Sequence, residues 1–351
     1  MIIRKPHDID MSHFSRFRSE YMGVAMLAII LFHVALPRSS AFFGLRRMGN
    51  IGVDIFLFLS GMGLWFSWMK SIAKADGETF LRRWASFYRR RLLRVYPTWL
   101  VIACLYYIPR YQGGAVLWRN GHGLLDLFGD IFINWDFWLH DELTFWYIPA
   151  IMLLYVFAPP FMQLIRRNGD YRWLVLLPLV WTIAVQWVAP IHQAVGHLEI
   201  FWSRVPIFFL GICMAEAVRT GEKRKGSGIW LVWIIFLSTA SLCIYLEQSL
   251  HGRFPIFLER LVYIPFAVTL LVLLGRLFTV TPCWVNKVFA WVGTISLEVY
   301  LIHCQFVLLP VQKYHLGYWL TFIVTLAITL ALAWALHKVM QRVTNVLQRI
   351  I

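Results

Sequence analysis

The sequence predicts an all-α integral membrane protein, a bundle of about ten transmembrane helices with both termini in the cytoplasm. Of its 351 residues, 60% are hydrophobic and only 15% are charged, which is too little polar surface for a soluble globule. Ten stretches are apolar enough to cross a bilayer, which takes about 20 residues each. The chain also has 18 tryptophans, a side chain that collects where spanning helices meet the headgroup layer.

The N-terminal segment, residues 1–20, contains acids, bases and two histidines, and has neither the apolar core nor the cleavage site of a signal peptide. We therefore expect it to be a cytoplasmic segment followed by an uncleaved first span. The ten predicted spans are 21–37, 50–69, 93–109, 143–164, 172–190, 201–218, 228–246, 257–278, 288–311 and 317–338.

Charge orients these spans. With both termini inside, 24 of the 33 lysines and arginines face the cytoplasm, as the positive-inside rule requires. The net charge of +15 is thus explained by topology, and we expect no nucleic acid partner. The outer loop at 110–142 is instead acidic. The sequence shows neither an inverted repeat nor a solenoid repeat, so residues 1–351 are predicted to form a single membrane domain.

The five cysteines lie in or beside apolar stretches and form no Cys-x-x-Cys pair. We interpret them as small apolar residues and expect no metal site.

The first span, YMGVAMLAIILFHVALP, contains His33, which follows Tyr21 by about 18 Å of helix. Ionisable side chains inside a span are functional candidates because they are costly there. A neutral imidazole accepts a proton from a hydroxyl near pH 7, which makes His33 a candidate general base. The alternative is a histidine that only forms a hydrogen bond with a neighbouring helix.

The second span opens with GNIGVDIFLFLSG, in which the glycines are interpreted as packing devices. Asp54 near its start is a candidate partner for a cation, the alternative being a carboxylate at a solvated helix end. Before the third span, FYRRRLLRVYP concentrates Arg90, Arg91 and Arg94, which share helix faces at spacings of three and four. Forked guanidiniums suit a phosphate-rich ligand, although a topogenic or lipid-headgroup cluster has the same composition.

Aromatic and acidic residues begin the fourth span, DELTFWYIPAIMLLY. Trp146 and Tyr147 fit an interfacial belt or a surface on which a sugar stacks. Glu142 could hold a sugar hydroxyl or be an exposed loop carboxylate. In the ninth span, Ser296, Tyr300 and His303 share one helix face, which predicts either a cavity or structural hydrogen bonds.

In this order the segments resemble the acyltransferase-3 family of membrane acyltransferases, which modify extracytoplasmic glycans. The resemblance rests on LFHV, GVDIFLFLSG, YRRRLLRVYP, FWYIPAIMLLY, RVPIFFLGI and ISLEVYLIH, whose succession covers nearly the whole chain. The family's first-span signature is Arg, ten residues, then His. His33 matches the histidine, whereas Met22 stands where the arginine belongs, and Arg18 and Glu20 lie just before it.

The resemblance implies a ten-helix enzyme of the bacterial cytoplasmic (inner) membrane. It would transfer an acyl group, in the first instance acetyl from acetyl-CoA, to a hydroxyl of O-antigen, exopolysaccharide or capsule. His33 would activate the attacking hydroxyl, while Arg90, Arg91 and Arg94 would hold the coenzyme A phosphates. Acyl-CoA would be a substrate, so no permanently bound cofactor is expected.

Two other functions are consistent with ten spans and buried histidines. One is a transporter or flippase for a lipid-linked sugar, which would ordinarily show inverted repeats that this sequence lacks. The other is a non-catalytic partner in glycan assembly, which the missing first-span arginine would suit.

Overall fold

The computed structural model describes residues 9–74, 80–114, 117, 123–224 and 228–350. The chain is almost entirely helical there, as the apolar stretches predict. The main helices are α1 (Arg18–His33), α2 (Ile51–Lys74), α3 (Phe80–Tyr107), α4 (Leu124–Ile133), α5 (Tyr147–Arg167), α6 (Leu176–Trp187), α7 (Ala189–Val195), α8 (Val205–Arg219), α9 (Gly228–Leu250), α10 (Ile256–Val280), α11 (Cys283–Thr294), α12 (Ser296–Ile302) and α13 (Tyr318–Ile350).

Shorter elements join them. Ile9–Asp10 pairs antiparallel with Lys223–Arg224, which ties the N-terminal segment to the connection between α8 and α9. Short α-helices are His13–Arg16, Phe43–Arg47, Trp135–Leu139, Glu199–Trp202 and Leu309–Gln312, and 3-10 helices cover Met48–Asn50, Ile108–Arg110, Gly169–Val175 and Gly196–Leu198.

The predicted all-α membrane fold is confirmed, and the chain is a multi-pass membrane protein. Within the described residues, six helices are long and apolar enough to cross a bilayer, or up to eight if two bent pairs each count as one span. The first and sixth predicted spans correspond to α1 and α8, which have 16 and 15 residues and are shorter than a typical span. The count of ten spans and the side of the termini stay predictions.

Two predicted spans are not continuous helices. The fifth breaks at Val188, where Pro190 lies in the first turn of α7, and the two halves meet at 97°. The ninth bends by 60° between α11 and α12 and then changes to a π-helix over His303–Leu308. Hydroxyl side chains flank this bend, and Thr294 donates its hydroxyl proton to the carbonyl oxygen of Trp291, a bond that bends helices.

Glycines allow the closest helix contacts. A Cβ added to Gly23 of α1 would lie 2.0 Å from the carbonyl oxygen of Phe289, and one added to Gly293 of α11 would lie 1.9 Å from that of Ser19. These two reciprocal clashes show that α1 and α11 pack backbone against backbone. The same relation holds between α2 and α8, where Gly61 faces the Phe208 carbonyl and Gly211 faces the Phe58 carbonyl.

Candidate functional site

A cavity of about 390 Å³ lies among α1, α2, α3, α5 and α12, and we call it the arginine cavity after Arg18, Arg91 and Arg94. Serine and tyrosine side chains and apolar groups complete its wall, and no carboxylate among the described residues contributes to it. Three guanidiniums can form charge-assisted hydrogen bonds with an anion. Its other lining residues are Met22, Ile29, Val53, Phe56, Ser60, Gly63, Leu64, Phe66, Ser67, Val95, Tyr147, Ile151, Tyr155, Ser296, Leu297 and Tyr300.

Arg18 reaches this cavity from the first residue of α1. It precedes Met22 by one helical turn, and both side chains line the cavity because residues four apart share a helix face. A Cβ added to Gly63 would lie 3.4 Å from the Arg18 guanidinium, at ordinary contact distance, so the guanidinium packs beside this residue. The buried Nε atoms of Arg18 and Arg91 have no hydrogen-bond partner in the structure, which leaves donors available to a ligand.

Tyr147 and Tyr300 also line the arginine cavity. The backbone N–H of Tyr147 donates to the Tyr300 hydroxyl oxygen at 3.2 Å, and their ring centroids are 5.4 Å apart. The oxygen of Tyr300 is therefore an acceptor in this contact, so its own proton remains free to be donated. Ser296 lines the cavity one turn before Tyr300.

His33 and His303 meet beyond these tyrosines, although 270 positions separate them in sequence. Nε2 of His303 lies 3.3 Å from Nδ1 of His33, and the ring centroids are 4.9 Å apart. Nδ1 of His33 also lies 2.8 Å from the carbonyl oxygen of Ile29, a residue of the cavity wall. The histidine pair is thus one helical turn beyond the end of the arginine cavity.

Asp54 does not lie at a solvated helix end. It is fully buried, and its Oδ2 lies 3.5 Å from Nε of Arg204, which is itself 1% exposed. Arg204 also donates to Asn50 Oδ1 at 2.9 Å, and its guanidinium stacks 5.3 Å from the centre of the Trp146 ring. The cation that Asp54 faces is therefore this arginine.

Two further ion pairs are partly buried, namely Arg47 with Glu247 at 3.0 Å and Arg260 with Glu199. Glu298 belongs to the ninth span but lies off the face shared by Ser296, Tyr300 and His303. It pairs with His337, whose Nδ1 lies 2.9 Å from the Glu298 carboxylate.

Several predicted site residues lie away from the arginine cavity. Arg90 is exposed and donates to the Ser86 hydroxyl at 2.7 Å, so it does not join Arg91 and Arg94. Glu142 is exposed in the outer loop, and Glu20 is outside the cavity wall. Trp146 is buried under Arg204 rather than placed as a headgroup belt.

Sequence reasoning missed Ser60, Ser67 and Tyr155 of the cavity wall. A signal for each was present. Ser60 and Ser67 are seven apart, with Gly63 between them, and so form a small polar stripe on one face of α2. Tyr155 follows Tyr147 by eight positions and shares its face of α5.

The outer loop forms a second cavity, of about 610 Å³, that we call the acidic cavity after Asp126, Asp130 and Asp136. Tyr107 and Arg110 also line it. Burial, reinforced by the charge of Asp136, raises the pKa of Asp130 to about 7. Asp130 also accepts the backbone N–H of Asp136 at 2.9 Å, and Asp126 accepts that of Gly123. Within the described residues, no group of three or more His, Cys, Asp or Glu side chains could hold a metal ion.

Comparison with known proteins yields one family and one curated relative. The acyltransferase-3 family model, described as an acyltransferase domain, matches residues 23–338. A Caenorhabditis elegans protein named Regulator of hypoxia-inducible factor 1 is 34% identical over 129 residues, which cover 34% of this chain and 25% of that protein. This chain therefore spans a quarter of that relative's length. No solved structure matches the chain.

Proposed function

Because the chain belongs to the acyltransferase-3 family and is an acyltransferase, we propose that it moves an acyl group from acyl-CoA to a hydroxyl of an extracytoplasmic carbohydrate. Acetyl-CoA is the proposed donor, and O-antigen, exopolysaccharide or capsule is the proposed acceptor. The observation that carries the proposal is the position of the arginine cavity, which ends one helical turn short of the histidine pair.

The positive charge of the arginine cavity supports acyl-CoA as the donor. Coenzyme A carries several phosphates, and Arg18, Arg91 and Arg94 present three guanidiniums that no lining carboxylate in the described part of the chain neutralises. Their forked donors match phosphate oxygens better than a lysine would. Arg90 points elsewhere, so the proposed phosphate site consists of these three arginines.

The path for the acyl group follows α1. From Arg18 to His33 the helix rises by about 22 Å at 1.5 Å per residue. A pantetheine arm that starts at the arginines would lie along Met22 and Ile29 of the cavity wall and present its thioester near Tyr147 and Tyr300. Phosphates and thioester would then be held at opposite ends of one cavity.

The chemistry follows from the groups at that far end. His33 would take the proton of the attacking hydroxyl as its oxygen bonds to the thioester carbon. The Tyr300 hydroxyl would donate a hydrogen bond to the carbonyl oxygen as negative charge develops there, and it would keep its proton throughout. The carbon–sulfur bond then breaks, and the leaving thiolate receives the proton from His33.

The topology proposed with this function is ten spans in the bacterial cytoplasmic membrane, with both termini in the cytoplasm. The excess of lysine and arginine in the loops of that side supports it. Donor and acceptor would then approach His33 from opposite faces of the membrane.

The test is transfer of label from radioactive acetyl-CoA to the host's surface glycan in membranes that contain wild type, His33→Ala or His315→Asn. His315 is an exposed residue in the left-handed backbone region, which asparagine tolerates. We expect transfer by wild type and His315→Asn and none by His33→Ala. A folded wild type that transfers no acyl group from any donor would overturn the proposal in favour of a transporter or a non-catalytic partner.

A further inference from the structure

The two histidines differ in their hydrogen bonds, and from this difference we infer that His303 is a positioning residue. Together with the Ile29 carbonyl oxygen, it holds His33 in the tautomer whose Nε2 is the proton acceptor. The inference rests on the proposed function, because it assigns the proton-accepting atom of that reaction. It is carried by four contacts of the two rings and by the backbone that supports His303.

The proton of His303 is fixed by its own helix. Nδ1 of this ring lies 2.8 Å from the carbonyl oxygen of Tyr300 and 3.1 Å from that of Val299. A carbonyl oxygen can only accept a hydrogen bond, so Nδ1 must carry the proton. In the neutral ring Nε2 then has a lone pair, and that atom faces His33.

The same logic assigns His33. Its Nδ1 lies 2.8 Å from the Ile29 carbonyl oxygen and 3.3 Å from Nε2 of His303. Both neighbours are acceptors, so Nδ1 of His33 carries a proton that the two share. In the neutral ring Nε2 of His33 is therefore the unprotonated nitrogen.

Only one of the two rings has an uncommitted nitrogen. Both nitrogens of His303 are engaged, and the residue is 2% exposed. His33 is half-buried, and no side chain or carbonyl in the described part of the chain forms a hydrogen bond with its Nε2. His33 is thus the ring that can meet a substrate hydroxyl, and His303 acts through it.

The backbone at His303 is unusual in a way that supports this role. A π-helix starts at His303 and runs to Leu308. Such segments are rare and are frequent at functional sites. The Tyr300 carbonyl oxygen, which accepts the His303 Nδ1 proton, lies three residues before the start of this π-helix.

Through the transfer step His303 keeps its proton. The hydroxyl O–H bond breaks, its oxygen bonds to the acyl carbon, and the proton moves to Nε2 of His33. The resulting imidazolium donates from Nδ1 to the lone pair of His303, which stabilises it without a carboxylate. The proton then passes from Nε2 to the leaving thiolate, which restores the starting tautomers.

The first test compares His303→Gln with His303→Met in the acyl transfer assay. The glutamine amide oxygen can accept the His33 Nδ1 proton, whereas methionine fills a similar volume without a comparable acceptor. We expect kcat to fall about 100-fold or more in His303→Met, with KM for acyl-CoA within about twofold of wild type. His303→Gln should recover at least about tenfold of that loss. A His303→Met enzyme with wild-type kcat would overturn the inference.

A second measurement reads the tautomer of His33 directly in the wild type. Nitrogen NMR of the wild type labelled with 15N-histidine distinguishes protonated from unprotonated ring nitrogens, and the signals that disappear in His33→Gln identify His33. We expect Nδ1 protonated and Nε2 unprotonated, and the opposite tautomer would refute the inference. If the wild type transfers no acyl group, the proposed function fails, while the NMR result still decides the tautomer.

Discussion

Arg18 contributes a positive charge to the arginine cavity, although it does not occupy the arginine position of the family's first-span signature. The family pattern places arginine where this chain has Met22, and the guanidinium of Arg18 enters from one turn earlier on the same face. The guanidinium packs beside Gly63, where an added Cβ would be in ordinary van der Waals contact with it at 3.4 Å.

We expect Arg18→Gln and Arg91→Gln to raise the KM for acyl-CoA, because each removes a charged donor from the cavity. A charge-assisted hydrogen bond contributes about 1.5–3 kcal/mol, which corresponds to a rise of about 10- to 100-fold. Arg90→Gln is the matched control, since Arg90 is exposed and bonded to Ser86, and its KM should stay within about twofold of wild type. Equal effects at Arg90 and Arg18 would contradict the cavity assignment.

Asp130 predicts a pH dependence of stability. Its folded pKa of about 7 lies above the ordinary value of 3.8, so the folded state binds this proton more tightly than the unfolded state does. The resulting stabilisation is fully present below about pH 4 and is lost as the pH rises to about 7. After allowance for screening by solvent, the loss should be about 1–2 kcal/mol.

This predicted loss of stability is tested by measuring the thermal unfolding midpoint of the protein in detergent at pH 5 and at pH 8. Asp130→Asn keeps an oxygen for the Asp136 N–H but has no charge, so its midpoint should fall less than that of wild type between the two values. Asp141→Asn, at an exposed outer-loop position, should behave like wild type. An identical fall in Asp130→Asn and wild type would show that Asp130 does not titrate in this range.

Much of the cavity wall was accessible to sequence reasoning because its residues repeat at helical spacing. Arg91 with Arg94, and Ser296 with Tyr300, were predicted from that spacing and line the cavity. Arg90 satisfies the same spacing rule and still points away. Periodicity identifies a shared face, whereas the neighbouring helices decide which edge of that face becomes the cavity.

At the scale of helices, α1 and α11 form the contact on which the site depends. Gly23 and Gly293 let the two backbones touch, and α11 continues into α12, which carries Ser296. The position of the cavity wall relative to Arg18 is thus set by this pair of glycines.

We expect Gly293→Ala to lower stability by about 2 kcal/mol or more, because its Cβ would lie 1.9 Å from the Ser19 carbonyl oxygen. Gly169→Ala is the control, since a Cβ there has nothing within 4 Å, and its effect should stay within about 0.5 kcal/mol. Thermal unfolding in detergent compares the two. A tolerated Gly293→Ala would mean that α1 and α11 can separate without loss.

The helices themselves were predictable from hydropathy, but their breaks were not. The sequence stays apolar through Val188 and through the bend between α11 and α12, because both helices of each bent pair are apolar. Pro190 indicated a discontinuity in the fifth span. No characteristic residue composition marks the π-helix that begins at His303, so only the structure could reveal it.

At the scale of the whole molecule, the distribution of positive charge predicts which loops face the cytoplasm. In a variant whose native cysteines other than Cys283 are replaced, Cys283 should react with a membrane-impermeant maleimide only after the cells are permeabilised. A second variant with Glu142→Cys as its single cysteine should react in intact cells. Both side chains are exposed, so access alone decides the result. The reverse pattern would invert the topology.

Long-range pairs were beyond sequence reasoning. No local pattern links His33 with His303, or Asp54 with Arg204, because the partners come from different spans far apart in the chain. Each residue could be recognised as an ionisable group in an apolar stretch. Its partner depends on how the whole bundle closes.

The pairing of Asp54 with Arg204 also constrains how the protein is made. Arg204 follows Asp54 by 150 positions, so at a synthesis rate of about 5–20 residues per second the carboxylate precedes its partner by roughly 10 seconds. An unpaired carboxylate is costly within lipid. The start of the second span must therefore stay near water, or be held by the insertion machinery, until the sixth span is delivered. Membrane integration of these two spans is thus coupled in time, and a ribosome that stalls between them would leave an incompletely inserted chain for proteolysis.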